Sequence, residues 1–536
     1  MGETEVETRV VDSLGYSKKH VDFNSITTEV EQIQNTLYKI GYIENKVSGI
    51  EKINDSTFHA QIALKTKFST IYIYYKNEDV EKAVLKAISS HVFDEYFILE
   101  FPLVENALNF INSETSKKGF PFSRLQLSNI TAKNKTRLEA ELTIESSTQK
   151  RSINNIVLKG YEKFPKSYLK YYLKVKPGQT FNLAGIKKKT EQLANLNFAN
   201  ETKPPEVLFL KDSTNLYLYL EKSRSNTFDG FLGFGTNEDT NRLEFDGYLN
   251  LNLINNLNFG ESFRLLYKSD ENDQKTFEAD ASLPYLFNSP VGIDLLLRIF
   301  KRDSSFTTVN QSAKIHYQIN AQHKIFAGIV ATESNNLLST NITLSIEDYK
   351  TQFFTTGYQF QKAQPYNLLF RVKSRIDLET GFGNRKTEIN KEKQSLFSID
   401  AFNIFNLNQK NSIFIRANGA NLVSGNYFEN ELLRFGGINS IRGFEENSLF
   451  ASLFGIINTE YRFQLNNAIY IHSIFDTGYF ENKIAGTQQK LFGYGFGFGI
   501  LTKAGLFKLN YANGKNEDSE FKLSNSKVHI SLKASF

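Results

Sequence analysis

The chain has 536 residues, 40 % of them hydrophobic and 23 % charged, which describes a folding chain of several domains and excludes a disordered one. Its net charge of +5 is not gathered into a basic tail, which argues against nucleic acid as a partner, and the absence of Cys removes disulfides and thiol chemistry. No apolar run reaches the ~18 residues of a membrane helix, a test that a transmembrane β-barrel passes unseen because its apolar residues alternate.

The first six residues, Met1 to Val6, are acidic and have no apolar core, so they are not a signal peptide. Either the chain stays inside the cell or a leader has been removed, and the rest of the sequence favours removal. Residues 1–226 contain an internal repeat. An amphipathic stretch ends in Lys39-Ile40-Gly41-Tyr42, in Lys118-Gly119-Phe120 and in Leu196-Asn197-Phe198, with Gly41, Gly119 and Asn197 spaced 78 residues apart each time. Gly and Asn readily take the left-handed conformation that closes a helix. Two alternating strands joined by a polar turn follow each stop, at Asn54-Asp55-Ser56, Lys133-Asn134-Lys135 and Lys211-Asp212-Ser213. A further strand, Ile71 to Tyr74 or Ile153 to Leu158, precedes the later units.

Each unit therefore reads strand, helix, helix, strand, strand, and resembles the polypeptide-transport-associated (POTRA) domain. The expected boundaries are 1–68 for an abbreviated first domain lacking one helix, 69–149 for the second and 150–226 for the third.

From residue 227 the helical period gives way to stretches of ~10 residues with period two. Sixteen strands are predicted, centred near Leu232, Tyr248, Leu265, Ala279, Leu296, Lys314, Gly328, Phe354, Ser374, Ile399, Ile415, Ile457, Ser473, Phe496, Leu509 and Ser531. The predicted fold is thus α+β POTRA repeats followed by an all-β, 16-stranded transmembrane barrel over 227–536. The even strand count puts both barrel ends on the side of the repeats. A pair of soluble β-sandwiches is the alternative, and it accounts less well for so many Phe and Tyr on exposed faces.

Between the eleventh and twelfth strands a long loop, 426–448, contains Arg434-Phe435-Gly436-Gly437-Ile438-Asn439-Ser440-Ile441-Arg442-Gly443-Phe444. Strand thirteen carries Phe475-Asp476-Thr477-Gly478, and strand fourteen places Gly493, Gly495, Gly497 and Gly499 on one face with aromatics on the other. These motifs resemble the BamA/TamA outer-membrane assembly superfamily, which also contains the two-partner secretion transporters; the layout is most similar to the TamA branch. The resemblance implies a loop folded into the lumen with Arg442 against an acid on a following strand, for which Asp476 is the obvious partner. A buried guanidinium needs such a carboxylate, and a glycine face makes room for an approaching backbone.

The first strand holds Gly230, Gly233 and Gly235, and the last ends at Phe536, so these strands form a weak seam closing the barrel. The resemblance further implies insertion or translocation of unfolded outer-membrane or secreted polypeptides, contact with outer-membrane lipid, periplasmic or lipoprotein accessory subunits, and no nucleotide, metal or other cofactor. Residues 1–226 would lie in the periplasm. No catalytic pattern emerges: none of the seven His has ligand spacing, and no Gly-x-Ser-x-Gly elbow precedes a helix. A passive porin remains the alternative of a different class.

Overall fold

A computed structural model describes residues 1–145, 149–236, 243–269, 274–338, 345–364, 366–502, 505–517 and 526–535, with side chains except at 231–236, 243–247 and 529–535. The chain divides into two compact units. One comprises residues 1–155 with 177–185 and 209–215; the other comprises 156–176, 186–208 and 216–536.

The first unit opens with α1 (Glu5–Asp12) and α2 (Phe23–Lys39), followed by the paired strands β1 (Lys46–Asn54) and β2 (Thr57–Ala63). Asp22 caps α2 by accepting from the Ser25 N–H at 2.7 Å, while Ser25 Oγ accepts from the Asp22 N–H, a reciprocal capping box. Val30, Ile33 and Leu37 form its buried stripe. Gly41, at φ 103°, ends the helix: the Tyr42 N–H reaches Leu37 O at 2.9 Å and the Gly41 N–H reaches Tyr38 O at 3.2 Å. The expectation that this repeat lacks a helix is corrected, because both helices are present. α1 was hidden because it is only eight residues long, too short for its stripe of Val6, Val10 and Val11 to repeat.

The second repeat runs β3 (Thr70–Tyr74), α3 (Lys82–Lys86), β4 (His91–Val92), β5 (Tyr96–Glu100), α4 (Val104–Lys117), β6 (Arg124–Asn134) and β7 (Arg137–Glu145). Its sheet has the order β4-β5-β3-β7-β6, around a core that includes Ile71, Ile73, Phe97, Leu99, Ile111 and Leu138. The β4–β5 hairpin between the helices was not foreseen. Gly119 (φ 101°) closes α4, and its carbonyl accepts from the Arg151 N–H at 2.8 Å, as the Gly41 carbonyl accepts from Phe68 at 2.9 Å. The repeated glycine thus ends a helix and also receives the strand leading onward.

The third repeat contains β8 (Asn155–Gly160), α5 (Leu183–Thr190), β9 (Ala199–Phe209) and β10 (Thr214–Lys222), in the order β8-β10-β9. Here the expectation for Asn197 fails. A 3₁₀ turn, Glu191–Asn195, continues from α5, and Leu196 leaves it in the extended region (φ −84°, ψ 136°), so no left-handed residue is needed at 197.

The barrel strands are β11 (Thr227–Thr236), β12 (Leu243–Ile254), β13 (Ser262–Ser269), β14 (Gln274–Leu283), β15 (Val291–Arg302), β16 (Phe306–Gln318), β17 (His323–Asn336), β18 (Tyr349–Ala363), β19 (Val372–Lys386), β20 (Lys391–Asn406) and β21 (Asn411–Val423). A loop bearing the short hairpin β22 (Leu433–Phe435) and β23 (Leu449–Ala451) intervenes. The wall resumes with β24 (Leu453–Gln464), β25 (Ile469–Asn482), β26 (Thr487–Leu501), β27 (Gly505–Asn516) and β28 (Ser526–Ser535). All sixteen predicted centres lie in the sixteen strands of this closed antiparallel barrel. Alternation explains the agreement. In β18, Tyr349, Thr351, Phe353 and Thr355 are buried while Lys350, Gln352 and Phe354 are exposed, and Phe382, Phe397, Ile457, Phe475 and Phe496 continue the outward apolar face that lipid requires.

Candidate functional site: a loop clamped inside the barrel

The loop between β21 and β24 turns into the lumen, and its backbone makes the turn possible. Gly436, Gly437 and Gly443 have φ of 111°, 94° and 90°, values that a Cβ strongly disfavours. A Cβ on Gly437 would also lie 2.0 Å from Glu446 Oε2. Ile441 is fully buried with Phe435, Ile456, Phe480 and Leu491, and Phe435 stacks on Phe454 at 4.6 Å between centroids.

Arg442 is 5 % exposed and Asp476 of β25 is 0 % exposed, so both charges have left water. Arg442 donates from Nε to Asp476 Oδ2 at 2.8 Å and from Nη2 to Oδ1 at 2.5 Å, a bidentate fork. Its backbone N–H adds a third bond to Oδ2 at 3.0 Å. Nη1 pairs with Glu460 of β24, whose other oxygen accepts from Arg462 Nε at 2.7 Å. Two guanidiniums therefore face two carboxylates, which keeps the desolvated cluster neutral.

Of the four strand-fourteen glycines, Gly493 alone has the loop as its nearest neighbour: a Cβ there would lie 2.4 Å from Arg442 O. The expected docking face is corrected for the rest. Gly495 faces the backbone of Tyr511, Gly497 leaves room for the Asn510 and His472 side chains, and Gly499 leaves room for the Tyr470 ring. The second backbone contact is with Gly514 of β27. A Cβ on Gly514 would lie 2.5 Å from Gly443 O, and one on Gly443 would lie 2.3 Å from Gly514 N. Phe444 packs over the same glycine.

Further bonds hold the loop. Arg416, bidentate to Asp400 at 2.7 and 2.9 Å, donates to Asn439 O at 2.7 Å, and Asn458 Nδ2 donates to Ser440 O at 2.7 Å. Lys527 of β28 reaches Glu445 at 2.8 Å. Glu460, Gly514, Arg416, Asn458 and Lys527 were all missed in the sequence, because each sits in an unremarked alternating strand.

At the seam, β11 pairs with β28 through Thr227↔Ser535 and Phe228↔Ala534, whereas β11 and β12 share ten pairs and β27 and β28 nine. Gly230 lies opposite Leu249, and a Cβ on it would be 2.2 Å from Tyr248 O. Gly233 and Gly235 lie opposite Asp246 and Glu244. Phe536 lies outside the described residues.

The near end of the barrel, where the chain enters, carries a second contact set that the sequence did not signal. Tyr168 of the third repeat packs edge-on to Tyr285 at 4.7 Å and donates to Gly260 O at 3.1 Å. Tyr161 donates to Asn258 Oδ1 at 2.7 Å and accepts from Asn255 Nδ2 at 2.8 Å. Asn195 accepts from the Ala363 N–H at 2.8 Å. Tyr285 holds a left-handed φ of 56°, a strained conformation for an aromatic residue that its burial against Tyr168 offsets.

The fold is shared with known proteins. Residues 152–222 match the POTRA family model, described as surface antigen variable number repeat. A search of curated proteins returned no match. Among solved structures, CdiB from Escherichia coli superposes with a TM-score of 0.55 at 14 % identity, covering 97 % of this chain and 100 % of that one. CdiB from Acinetobacter baumannii gives 0.53 at 17 % identity, covering 96 % and 97 %. BamA from Haemophilus ducreyi lacking POTRA domains 1–3 gives 0.50 at 12 % identity, covering 88 % and 100 %. With a POTRA domain leading into a closed sixteen-stranded barrel, the chain has the fold of the BamA/TamA-type superfamily.

Proposed function

We propose that this protein inserts or translocates other polypeptides at the outer membrane, with POTRA domains at 1–68, 69–149 and 150–226 in the periplasm and a barrel from 227. The observation that carries the reading is the clamped loop. A passive pore gains nothing from a 23-residue loop whose arginine is buried between two carboxylates, whereas a translocator needs a lumen that is filled at rest and a wall able to yield. The edge strands β6 and β9 offer unpaired backbone to an extended client by β-augmentation. The short β11–β28 ladder offers the weakest edge of the barrel. No step of this role makes or breaks a covalent bond.

The test is a disulfide across the seam. The register pairs Phe228 with Ala534, and directly paired strand residues lie about 4.5–5.5 Å apart, within disulfide range. The chain has no Cys, so Phe228→Cys with Ala534→Cys gives one defined bond. Client insertion or secretion should stop when the bond forms and return with reductant. Full activity in a quantitatively crosslinked barrel refutes passage or templating at the seam. Two-partner secretion of one dedicated partner is the second reading, suggested by the likeness in fold to the CdiB structures. Mass spectrometry of what co-purifies from native membranes separates a single partner from many clients.

A further inference from the structure

The hairpin β22–β23 carries a guanidinium that the clamp does not use. Arg434 stacks on three rings, with its guanidinium carbon 4.4 Å from the centroid of Phe450, 4.6 Å from Phe300 and 5.0 Å from Phe306. Aromatic faces satisfy the plane of a guanidinium but accept poorly from its in-plane N–H groups. Nη1 and Nη2 of Arg434 are buried and have no hydrogen-bond partner among the described residues. Its neighbours are neutralised: Arg302 by Glu429 at 2.8 Å, and Arg385 by Glu392 and Glu431. A buried charged group with unfilled donors is costly, and structures retain one where something fills it.

Arg434 lines a cavity of about 340 Å³ together with Arg298 of β15, Thr351 of β18 and Glu431. Arg298 Nε is also buried without a hydrogen bond, standing 3.8 Å from Glu278, and the Thr351 hydroxyl is likewise unpartnered. Glu431 offers Arg434 no acceptor, because its carboxylate is engaged by Arg385 and by Gln394 at 3.0 Å. The cavity therefore presents donors from the loop and from two wall strands that no acceptor among the described residues fills.

We propose that this cavity binds an oxyanion of the phosphate class, either free phosphate or the phosphate of a small organic ester. Arg434 supplies the two-nitrogen fork, with Arg298 Nε and the Thr351 hydroxyl as the donors from the wall. A carboxylate offers its lone pairs in a single plane. A tetrahedral oxyanion presents oxygens to both walls, which suits donors arriving from different directions. At ~30 Å³ per water, the cavity has space for phosphate and a short organic part. Because Arg434 belongs to the loop and Arg298 to the wall, the bound anion staples one to the other. This proposal does not depend on what the barrel transports.

The experiment uses the full chain, purified in detergent without phosphate, at constant ionic strength set by sodium chloride. Inorganic phosphate and glycerol 3-phosphate are titrated separately by calorimetry. Saturable binding is expected, weakened about tenfold or more by Arg434→Met, which fills the ring cage without donors, and less by Thr351→Val, which leaves the cage intact should the first variant fold poorly. Tighter binding of the ester assigns the site to an organic phosphate, and equal or weaker binding assigns it to the free ion. No saturable heat with either compound, or unchanged affinity in both variants, overturns the proposal.

Discussion

Arg442→Met removes three side-chain bonds from the clamp and leaves Asp476, which is wholly buried, with only the Arg442 backbone N–H as donor from the loop. Glu460 keeps Arg462, so the uncompensated charge falls on Asp476. Breaking a buried pair from one side costs about 3–5 kcal/mol. Applied to loop docking, that is a shift of roughly two to four powers of ten between docked and released states. Asp476→Asn is milder, because Arg442 retains Glu460; the loss of charge assistance is worth about 1.5–3 kcal/mol. The combined variant should be less impaired than the sum of the two, with a coupling of at least about 1.5 kcal/mol. Loop release is read by adding Ser440→Cys, a unique thiol at a position whose Oγ is buried, and timing its reaction with a maleimide. Labelling should accelerate by about two orders of magnitude or more in Arg442→Met, and less in Asp476→Asn. An unchanged rate in Arg442→Met, or strictly additive effects in the cycle, refutes the clamp.

The same thiol tests the glycines. Gly493→Val and Gly514→Val should expose it, since their new carbons would meet loop backbone at 2.4 and 2.5 Å, while Gly499→Val, which meets only the Tyr470 ring, should leave its rate unchanged. Phe496→Leu, with the native ring 61 % exposed on the outer face, should alter neither labelling nor activity measurably. At the near end, Gly260→Val places a branched side chain where a Cβ would lie 2.1 Å from the Tyr168 ring, at a φ of 79° that disfavours any side chain. It should release the third repeat and speed proteolysis between residues 222 and 227, an effect that Tyr168→Phe, losing one hydrogen bond of about 1 kcal/mol, should reproduce only weakly.

The barrel was legible because each of its strands carries its own record. One face meets lipid and the other the lumen, so a period of two is written locally, and residues such as Phe496 between Gly495 and Gly497 need no tertiary context to be placed. Gly41 and Gly119 were legible for a similar reason, since a left-handed helix stop is a local demand on one residue. Asn197 misled because a residue able to turn left need not do so. What could not be read was partnership set by register. Glu460 looks like any lumen-facing polar residue of β24, and its meeting with Arg442 depends on where a loop 18 residues upstream enters the barrel. Gly514 carries no aromatic alternation like that of strand fourteen, so nothing marked it as the second place where backbones touch. The β4–β5 hairpin was missed because His91–Val92 is only two residues long and Tyr96-Phe97-Ile98-Leu99 is apolar at successive positions, which hides a period of two.

The clamp and the seam also bear on each other. The tip of the loop is bound by Arg416 of β21, Asn458 and Glu460 of β24, Asp476 of β25, Gly493 of β26, Gly514 of β27 and Lys527 of β28, a contiguous arc ending at the seam, while its base is held by Arg302 of β15, Tyr349 of β18, Arg385 of β19 and Gln394 of β20. On the other side of the seam, the ion pair to the loop tip runs from Lys268 of β13 to Glu446 at 3.8 Å, too long for a hydrogen bond. Under the proposed function, parting β11 from β28 therefore leaves the loop attached to the β21–β28 arc, and the clamp moves with that wall instead of opposing the motion. The ladder pairs at Thr227 and Phe228 and the Lys268–Glu446 attraction are among the contacts that resist. At 3.8 Å and partly solvated, that attraction is worth up to about 1 kcal/mol, so Lys268→Met should raise seam opening severalfold while leaving the Ser440→Cys labelling rate unchanged. Opening is measured by amide hydrogen exchange at the paired Thr227 and Phe228, whose rate rises in proportion to the open population. If Lys268→Met instead frees the loop thiol, the tip contact belongs to the clamp, and seam and loop move as one.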